Sequence, residues 1–513
     1  MTAPRPATVI AVDAGTTGVR ALAVDAAGAV VDVAYRELAQ HFPHPGWVEH
    51  DAAEIWAHVQ TTVAEVAARQ HDAGRTVAAI GITNQRETVV AWDRRTGAPR
   101  HRALVWQDRR TAGECDRLQR AGHLDDVRRR TGLVLDPYFS ATKMAWLLRE
   151  GGVEPDDDLV LGTVDSWVAW NLTGGPEKGV LVTDPSNASR TLLYDIVERR
   201  WSPELADVFG VPLRHLPEVV PTCGRVGTVA GPLAAAEGLA GVPVSAMAGD
   251  QQSALFGQAC FSPGMAKATY GTGSFVLLHV GDRAPDPAEG LLTTVAWDLG
   301  AHAGTAPPVA YALEGAVFVT GAAIQWLRDG LGLIEQAADI GPLAESVPSS
   351  EGVTVVPAFT GLGSPWWDPY ARGTITGLSR GLGKAHIARA VVEAIALSVR
   401  DVVDCMTAAA GRPLHELRVD GGASVMDLLL QLQADQVRVP VRRPTSPETT
   451  ALGAATLAGL AEGVWPSLDH LASLWQQDVQ YEALSTELAA DRAHGQWLLG
   501  VERSRQWATG APA

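Results

Sequence analysis

Four cysteines in 513 residues, at positions 115, 223, 260 and 405, leave no C-x-x-C pair and no spacing for a zinc site or a disulfide framework. The expected state is four buried or half-buried thiols in a reducing cytosol. No apolar run reaches the roughly 18 residues that would predict a membrane-spanning helix. The first eight residues lack the apolar stretch of a secretory leader, so a cytoplasmic location is expected and the glycosylation-type triplet at 187–189 carries no weight. Positive charge is also in deficit: 41 Lys and Arg stand against 58 Asp and Glu, a formal charge of −17. That balance argues against nucleic acid or an anionic membrane as partner. An anionic substrate must therefore be met by cations placed locally. What is present, 46% hydrophobic and 19% charged residues, is a globular composition.

The length predicts two domains of about 250 residues each. Residues 8–13, 19–24 and 30–35 alternate with small turns and read as a three-strand meander. Asp51 reads as the N-cap of a helix whose apolar positions Ile55, Val59, Val63 and Val66 keep a 3.6 period, and Glu54 completes a capping box. Residues 78–83 form a strand, with 88–92 as its expected partner across a turn at 84–87. The second half repeats this logic. Strands at 242–248, 267–270 and 275–280 surround Gly-rich turns, and helices are expected over 314–330, 385–410 and 448–463. A Gly/Thr turn at 271–273 lies half a chain beyond a similar one at 15–18, the pattern of an internal duplication. The class is α/β: two mixed-sheet domains, 1–252 and 253–513, tightly joined, with the site in the cleft between them.

Several segments carry chemistry. Asp13 ends a strand in the turn A-G-T-T-G. Gly15 and Gly18 permit close backbone approach, Thr16 and Thr17 offer N–H and hydroxyl groups to phosphate, and Arg20 adds charge. Asp13 could hold Mg²⁺, largely through water. Thr272 sits in the second such turn. Arg86 and Glu87 place a donor fork beside an acceptor, which suits hydroxyls that both donate and accept. Trp106 and Tyr138 are aromatic wall candidates, more often core than contact when read alone. Asp250, after the apolar strand 242–248 and beside Gln251 and Gln252, can take a proton and orient a hydroxyl; an N-cap role for the same carboxylate is compatible. Gly421 and Gly422 follow a strand and open a helix at 425–435, a junction that can pack against a nucleoside. Gly321 and Gln325 lie in the expected helix 314–330, whose small residues read equally as tight packing.

These segments, together with 45–51 (PGWVEHD), 81–87 (GITNQRE), 136–140 (DPYFS), 249–252 (GDQQ), 311–318 (YALEGAVF) and 367–373 (WDPYARG), resemble the FGGY carbohydrate kinase family over nearly the whole chain, and most closely its members that phosphorylate glycerol. The resemblance implies two actin-like ATPase (ribonuclease H-like) domains with a catalytic cleft between them, in which ATP, Mg²⁺ and glycerol meet. Carried over residue by residue, it implies that Arg86, Glu87, Tyr138, Asp250 and Gln251 bind glycerol, with Trp106 and Phe275 as apolar wall. Thr16, Thr17, Gly18 and Arg20 would meet the phosphates from one side and Thr272 from the other. Gly321, Gln325, Gly422 and position 426 would border the nucleotide, Asp13 and Asp250 would be the metal-side carboxylates, and Asp250 the catalytic base. A homodimer or homotetramer is implied as well.

Two positions depart from the pattern. Met426 stands where the glycerol-phosphorylating members carry Asn near the adenine. Gly241, in the loop 238–243, stands where members inhibited by fructose 1,6-bisphosphate carry Arg, so little inhibition by that effector is expected. The competing expectations are a family kinase for another polyol or ketose, and a non-enzymatic actin-like protein, which would not need Arg86, Glu87 and Asp250 together.

Overall fold

The computed structural model describes residues 5–508. One sheet is built from β1 (Ala7–Ala14), β2 (Gly18–Asp25), β3 (Val30–Glu37), β4 (Thr76–Asn84), β5 (Cys223–Thr228) and β6 (Pro243–Gly249). The first three form the expected antiparallel meander. β1 pairs in parallel with β4 and β4 with β6, and β5 closes the edge antiparallel, so the spatial order is 3-2-1-4-6-5.

The second sheet contains β7 (Met265–Tyr270), β8 (Ser274–Gly281), β9 (Leu292–Asp298), β10 (Val309–Val317), β11 (Glu416–Asp420), β12 (Val441–Pro444) and β13 (Gln477–Tyr481). Its order is 9-10-8-7-11-12-13. The run 10-8-7-11-12-13 repeats 3-2-1-4-6-5: an antiparallel trio, two parallel strands and an antiparallel edge. The duplication expected from two Gly/Thr turns is thus visible in the pairing of whole sheets. Six helices matter for the site and the joint: α1 (Ala52–Asp72), α2 (Asp250–Gly257), α3 (Gly321–Gln325), α4 (Lys384–Ala410), α5 (Asp427–Val437) and α6 (Thr449–Ala461).

Strand alternation sorts side chains into layers. Ile10 and Val12 of β1 point to the outer core with α1, whose Ile55, Val59, Val63 and Val66 are all fully buried. Val9 and Ala11 point the other way, into a cluster shared with Leu277 and Ala312 of the second sheet. On the far side, Val276 and Leu313 pack with α4. Each sheet is therefore a wall between its own outer core and one common interior. Helix α6 runs through that interior and packs on α2 and on β1, β4 and β6. Backbones touch there: a Cβ on Gly453 would lie 1.8 Å from the Ser253 carbonyl oxygen, and one on Gly81 would lie 2.0 Å from that of Ala454.

The structure corrects four expectations. Residues 314–330 are not one helix. Glu314 lies inside β10, the chain turns at 318–320, and only the short α3 and one π-turn follow. The alternation of A-L-E-G-A-V is that of a strand buried on both faces, which a helical reading of small residues obscured. Residues 88–92 do not return along β4; Val89–Asp93 joins a separate four-stranded sheet. Glu87 takes a positive φ of 60°, which sends the chain out of the sheet rather than into a hairpin. The capping box at α1 is half made: Asp51 accepts from the Ala53 and Glu54 amides, while the Glu54 carboxylate turns to the Ala39 amide. A 3₁₀ turn, Gly422–Val425, separates β11 from α5, so Val425 and Met426 precede the helix.

The backbone contact at α6 leaves no room for a side chain. Gly453→Val is expected to cost roughly 3 kcal/mol, the upper end for over-packing. Gly495→Ala, on an open helix face, is expected to be neutral or slightly stabilising. Urea unfolding of the two variants checks this; equal midpoints would remove the joint's claim to tight packing.

Candidate functional site

The carboxyl ends of the three parallel strands of the first sheet lie flush. Asp13 and Ala14 stand beside Thr83 and Asn84, which stand beside Ala248 and Gly249. The residues that follow each strand therefore emerge side by side: the turn after Asp13, Arg86 and Glu87 after β4, and Asp250 after β6. Open α/β sheets place ligands at such an edge.

Arg86 is the hub. Its Nη1 donates to Glu314 Oε2 at 2.5 Å and to Gln252 Oε1 at 3.2 Å, and its Nη2 donates to Glu314 Oε1 at 3.2 Å. Its Nε lies 3.1 Å from Asp250 Oδ1, and the Tyr138 hydroxyl is 3.4 Å from Nη2. Arg190 supplies a second guanidinium, donating to Glu87 Oε1 at 2.7 Å and Glu314 Oε1 at 2.8 Å. Arg86, Glu87, Arg190 and Glu314 are all buried, whereas the Asp250 side chain keeps 31% of its surface. Fork-to-carboxylate pairing of this kind is the form in which buried charge is tolerable. Burial alone would push Glu314 up, but Arg190 and Arg86 hold its pKa near 2. Burial raises Glu87 despite the same two cations. Arg190 and Glu314 escaped sequence reasoning. Glu314 could have been found as the single carboxylate in an apolar strand, while Arg190, in the stretch N-A-S-R-T-L-L, carries no signal.

Asp250 is the first residue of α2, with Gly249 as cap. Its Oδ1 accepts from the Gln251 amide at 2.7 Å. Burial raises its pKa, opposed by Arg86 and then Lys267. Gln251 is half-buried, and its side-chain oxygen accepts from Lys267 Nζ. Tyr138 and Trp106 meet edge to face at 5.6 Å. The Tyr138 backbone is fixed by Lys143, whose buried Nζ donates to the carbonyls of Pro137, Tyr138 and Phe139 at 2.7–2.9 Å. The Trp106 indole donates to Thr16 Oγ1 at 2.9 Å, tying the aromatic wall to the first Gly/Thr turn. Arg86, Glu87, Trp106, Tyr138, Asp250 and Gln251 are thus brought together. Phe275 sits on β8 at the rim of the shared interior.

The first turn is a closed hairpin, with the Gly15 amide donating to the Gly18 carbonyl at 3.0 Å. Thr17 is exposed, and its carbonyl accepts from the Leu38 amide and the Tyr35 hydroxyl. Arg20 lies 3.1 Å from Asp13 Oδ2 and donates to Glu448 of the second domain at 2.7 Å. Burial lifts the Asp13 pKa to about 6; Arg20 lowers it, and the like charge of Asp250 raises it further. Two desolvated carboxylates in one another's field are hard oxygen donors of the type that binds a divalent cation.

The second turn is one residue shorter, with the Gly271 amide donating to the Gly273 carbonyl at 2.9 Å. The Gly321 and Ala322 amides close onto the carbonyls of Gly271 and Thr272. Thr269 of β7 stands beside Asp420 of β11, so the G-G junction at 421–422 lies next to this turn. Thr272, Gly321, Gln325, Gly422 and Met426 line one open cavity of about 780 Å³, with Ile324 and Pro342 on its wall. Gly241, by contrast, lies on an exposed loop with open space where a side chain would stand.

Residues 8–257 match the FGGY family of carbohydrate kinases, N-terminal domain, and residues 266–462 match the C-terminal domain of the same family. A glycerol kinase of Trichlorobacter lovleyi is 52% identical over 505 residues, covering 98% of this chain and 99% of that protein. A glycerol kinase of Bordetella parapertussis is 50% identical over 505 residues, covering 97% of each. Among solved structures, Plasmodium falciparum glycerol kinase with ADP superposes with a TM-score of 0.91 at 32% identity, covering 98% of this chain and 99% of that one.

The Arg86–Glu314 pair generates a stability prediction. Glu314→Gln keeps the shape and leaves two buried guanidiniums short of a carboxylate. The expected cost is about 3–5 kcal/mol, the usual range for a broken buried pair. Urea denaturation measures it; a change below about 1 kcal/mol would place the pair among weakly coupled surface contacts.

Proposed function

The chain belongs to the FGGY family of carbohydrate kinases, and from that premise we propose that it transfers the γ-phosphoryl group of ATP to a primary hydroxyl of glycerol, giving sn-glycerol 3-phosphate. The observation that carries this is the convergence of Arg86, Glu87, Tyr138 and Trp106 with Asp250 and Gln251 at one sheet edge. A small polyol needs a donor, an acceptor and an apolar wall within a few ångströms, and this edge supplies all three.

Asp250 acts as base. Burial raises its pKa, which makes it a better proton acceptor than an ordinary aspartate. The proton of a hydroxyl leaves late in a loose phosphoryl-transfer transition state, so orientation counts for more than prior ionisation. Arg86 holds the carboxylate in place through Oδ1. Arg20 and the amides of the turn at 15–18 offset phosphate charge from the first domain, and the turn at 271–273 does so from the second. Asp13 and Asp250 would hold Mg²⁺, which neutralises phosphate charge when bound. The nucleoside lies in the cavity bordered by Thr272, Gly321, Gln325, Gly422 and Met426. We draw the domain boundary at 252/253 and assign a cytoplasmic homodimer or homotetramer; no helix among the described residues is long and apolar enough to cross a membrane. A kinase acting on another polyol or ketose is the competing reading, and a substrate panel of glycerol, xylulose, ribulose and gluconate separates the two.

ADP release coupled to a reporter, with and without glycerol, is the primary test; release that glycerol does not stimulate would sink the proposal. Asp250→Asn keeps shape and loses the base, and turnover is expected to fall at least about a hundredfold. Because the base works deprotonated and its pKa is raised, wild-type activity should decline as pH drops, on an acid limb lying above the ordinary aspartate range. The residual activity of Asp250→Asn should lack that limb. At the nucleotide, a thioether packs on a purine face but does not read its edge, so Met426 is expected to leave ATP and GTP with similar kcat/KM. A strong ATP preference would refute that.

A further inference from the structure

Lys267 acts on the proposed base only through its charge, which opposes the rise in the Asp250 pKa. It stands on β7 of the second domain and is fully buried. Its Nζ donates to Gln251 Oε1, across the joint on α2, and to Thr269 Oγ1 at 2.9 Å. No carboxylate among the described residues lies within ion-pair distance of this ammonium. A buried ammonium hydrogen-bonded to two neutral oxygens is an expensive arrangement; the fields of Asp420 and Asp250 offset part of the cost of burial, and the two hydrogen bonds satisfy its donors.

The pairing fixes the direction of an amide. An ammonium has three donors and no acceptor, so only the carbonyl oxygen of Gln251 can face it. The Gln251 NH2 must then point away from Lys267, and no hydrogen bond from it to any described residue is formed. Its neighbour in the chain, Asp250, offers only acceptor oxygens. A hydroxyl placed between the two can donate to Asp250 and accept from the Gln251 NH2, but not the reverse.

We propose that Lys267 is a positioning residue that locks the Gln251 amide with its NH2 toward the polyol, so that the second domain dictates the hydrogen-bond direction of a hydroxyl held in the first. The inference rests on the glycerol kinase reading and assigns no new chemistry to it. The bound hydroxyl keeps its proton on the Asp250 side, which is the side from which it must leave. With Lys267 absent, the amide is free to flip and present its oxygen beside a carboxylate, and the hydroxyl then loses its only neutral donor.

The test is a double-mutant cycle read as steady-state KM for glycerol and kcat, with ADP release as the signal. Lys267→Met and Gln251→Leu are each expected to raise KM about tenfold, the value of one hydrogen bond to a neutral group. The double variant should be no worse than the worse single, since Lys267 acts through Gln251. Lys267→Arg, which keeps donors toward the amide oxygen, should recover most of the loss. Independent, multiplying effects in the double variant would overturn the proposal, because they would mean that Lys267 acts by packing or by its charge alone. Gln251→Glu decides the case if Lys267→Met does not fold: it retains the contact with Lys267 but has no NH2, and an unchanged KM would equally overturn the proposal. Wild-type protein without glycerol-stimulated ADP release would refute the kinase reading itself, an outcome distinct from either of these.

Discussion

The pairing of Arg86 with Glu314 is the constraint on which the rest of the site depends. Arg86 follows a strand of the first sheet, and Glu314 lies within a strand of the second. Both are desolvated, and neither could be buried alone: an unpaired ion in such surroundings costs several kcal/mol or more. The pair therefore fixes how the two domains approach. Arg190 extends it by bridging Glu314 to Glu87, so two guanidiniums serve Glu87, Glu314 and Asp250. Asp250 is the most accessible of the three carboxylates; burial raises its pKa, Arg86 and Lys267 oppose the rise, and Glu314 adds a smaller push upward. The network thus holds the carboxylate rigidly and moderates the effect of burial on it.

The proposed reaction also requires an acidic protein to bind an anionic substrate. A formal charge of −17 repels ATP at long range, but screening limits that field to about 8–10 Å at physiological ionic strength. In the proposed reaction, attraction inside the cleft comes locally from Arg20 and from the backbone amides of two glycine turns. Arg20 is itself shared between Asp13 of its own domain and Glu448 of the other. It is thus pinned without being fully neutralised, because its side chain remains 39% exposed.

Much of this was legible in the sequence, for identifiable reasons. Glycine turns and carboxylates at strand ends are local features, so Asp13, the two hairpins, Arg86, Glu87 and Asp250 announce themselves by residue type and position. The alternation of β1–β3 and the 3.6 period of α1 are local as well. What the sequence withheld is what depends on distant partners. Glu314 looked like part of a helix because its neighbours are small; it is a strand residue because both faces of β10 are covered. The segment after Glu87 looked like a returning hairpin strand, but the positive φ of Glu87 sends it to another sheet. Arg190 and Lys267 have no local signature at all. Each matters only because the fold brings an acceptor from elsewhere in the chain to its side-chain nitrogen.

The duplicated fold makes this division of labour intelligible. Both halves carry the same strand order and a Gly/Thr hairpin at the same place in it, yet their chemistry differs. In the first half the residues after β4 and β6 are charged and reach the sheet edge. In the second the corresponding junction after β11 is Gly421-Gly422, which offers backbone and space instead. One copy presents charged side chains and the other an open cavity. Because the two sheets face each other across a single interior threaded by α6, the edge of one lies opposite the edge of the other. The proposed reaction, between a polyol held by side chains and a nucleotide held largely by backbone, then requires only that the joint stay in register, which is the task of the buried charges around Arg86.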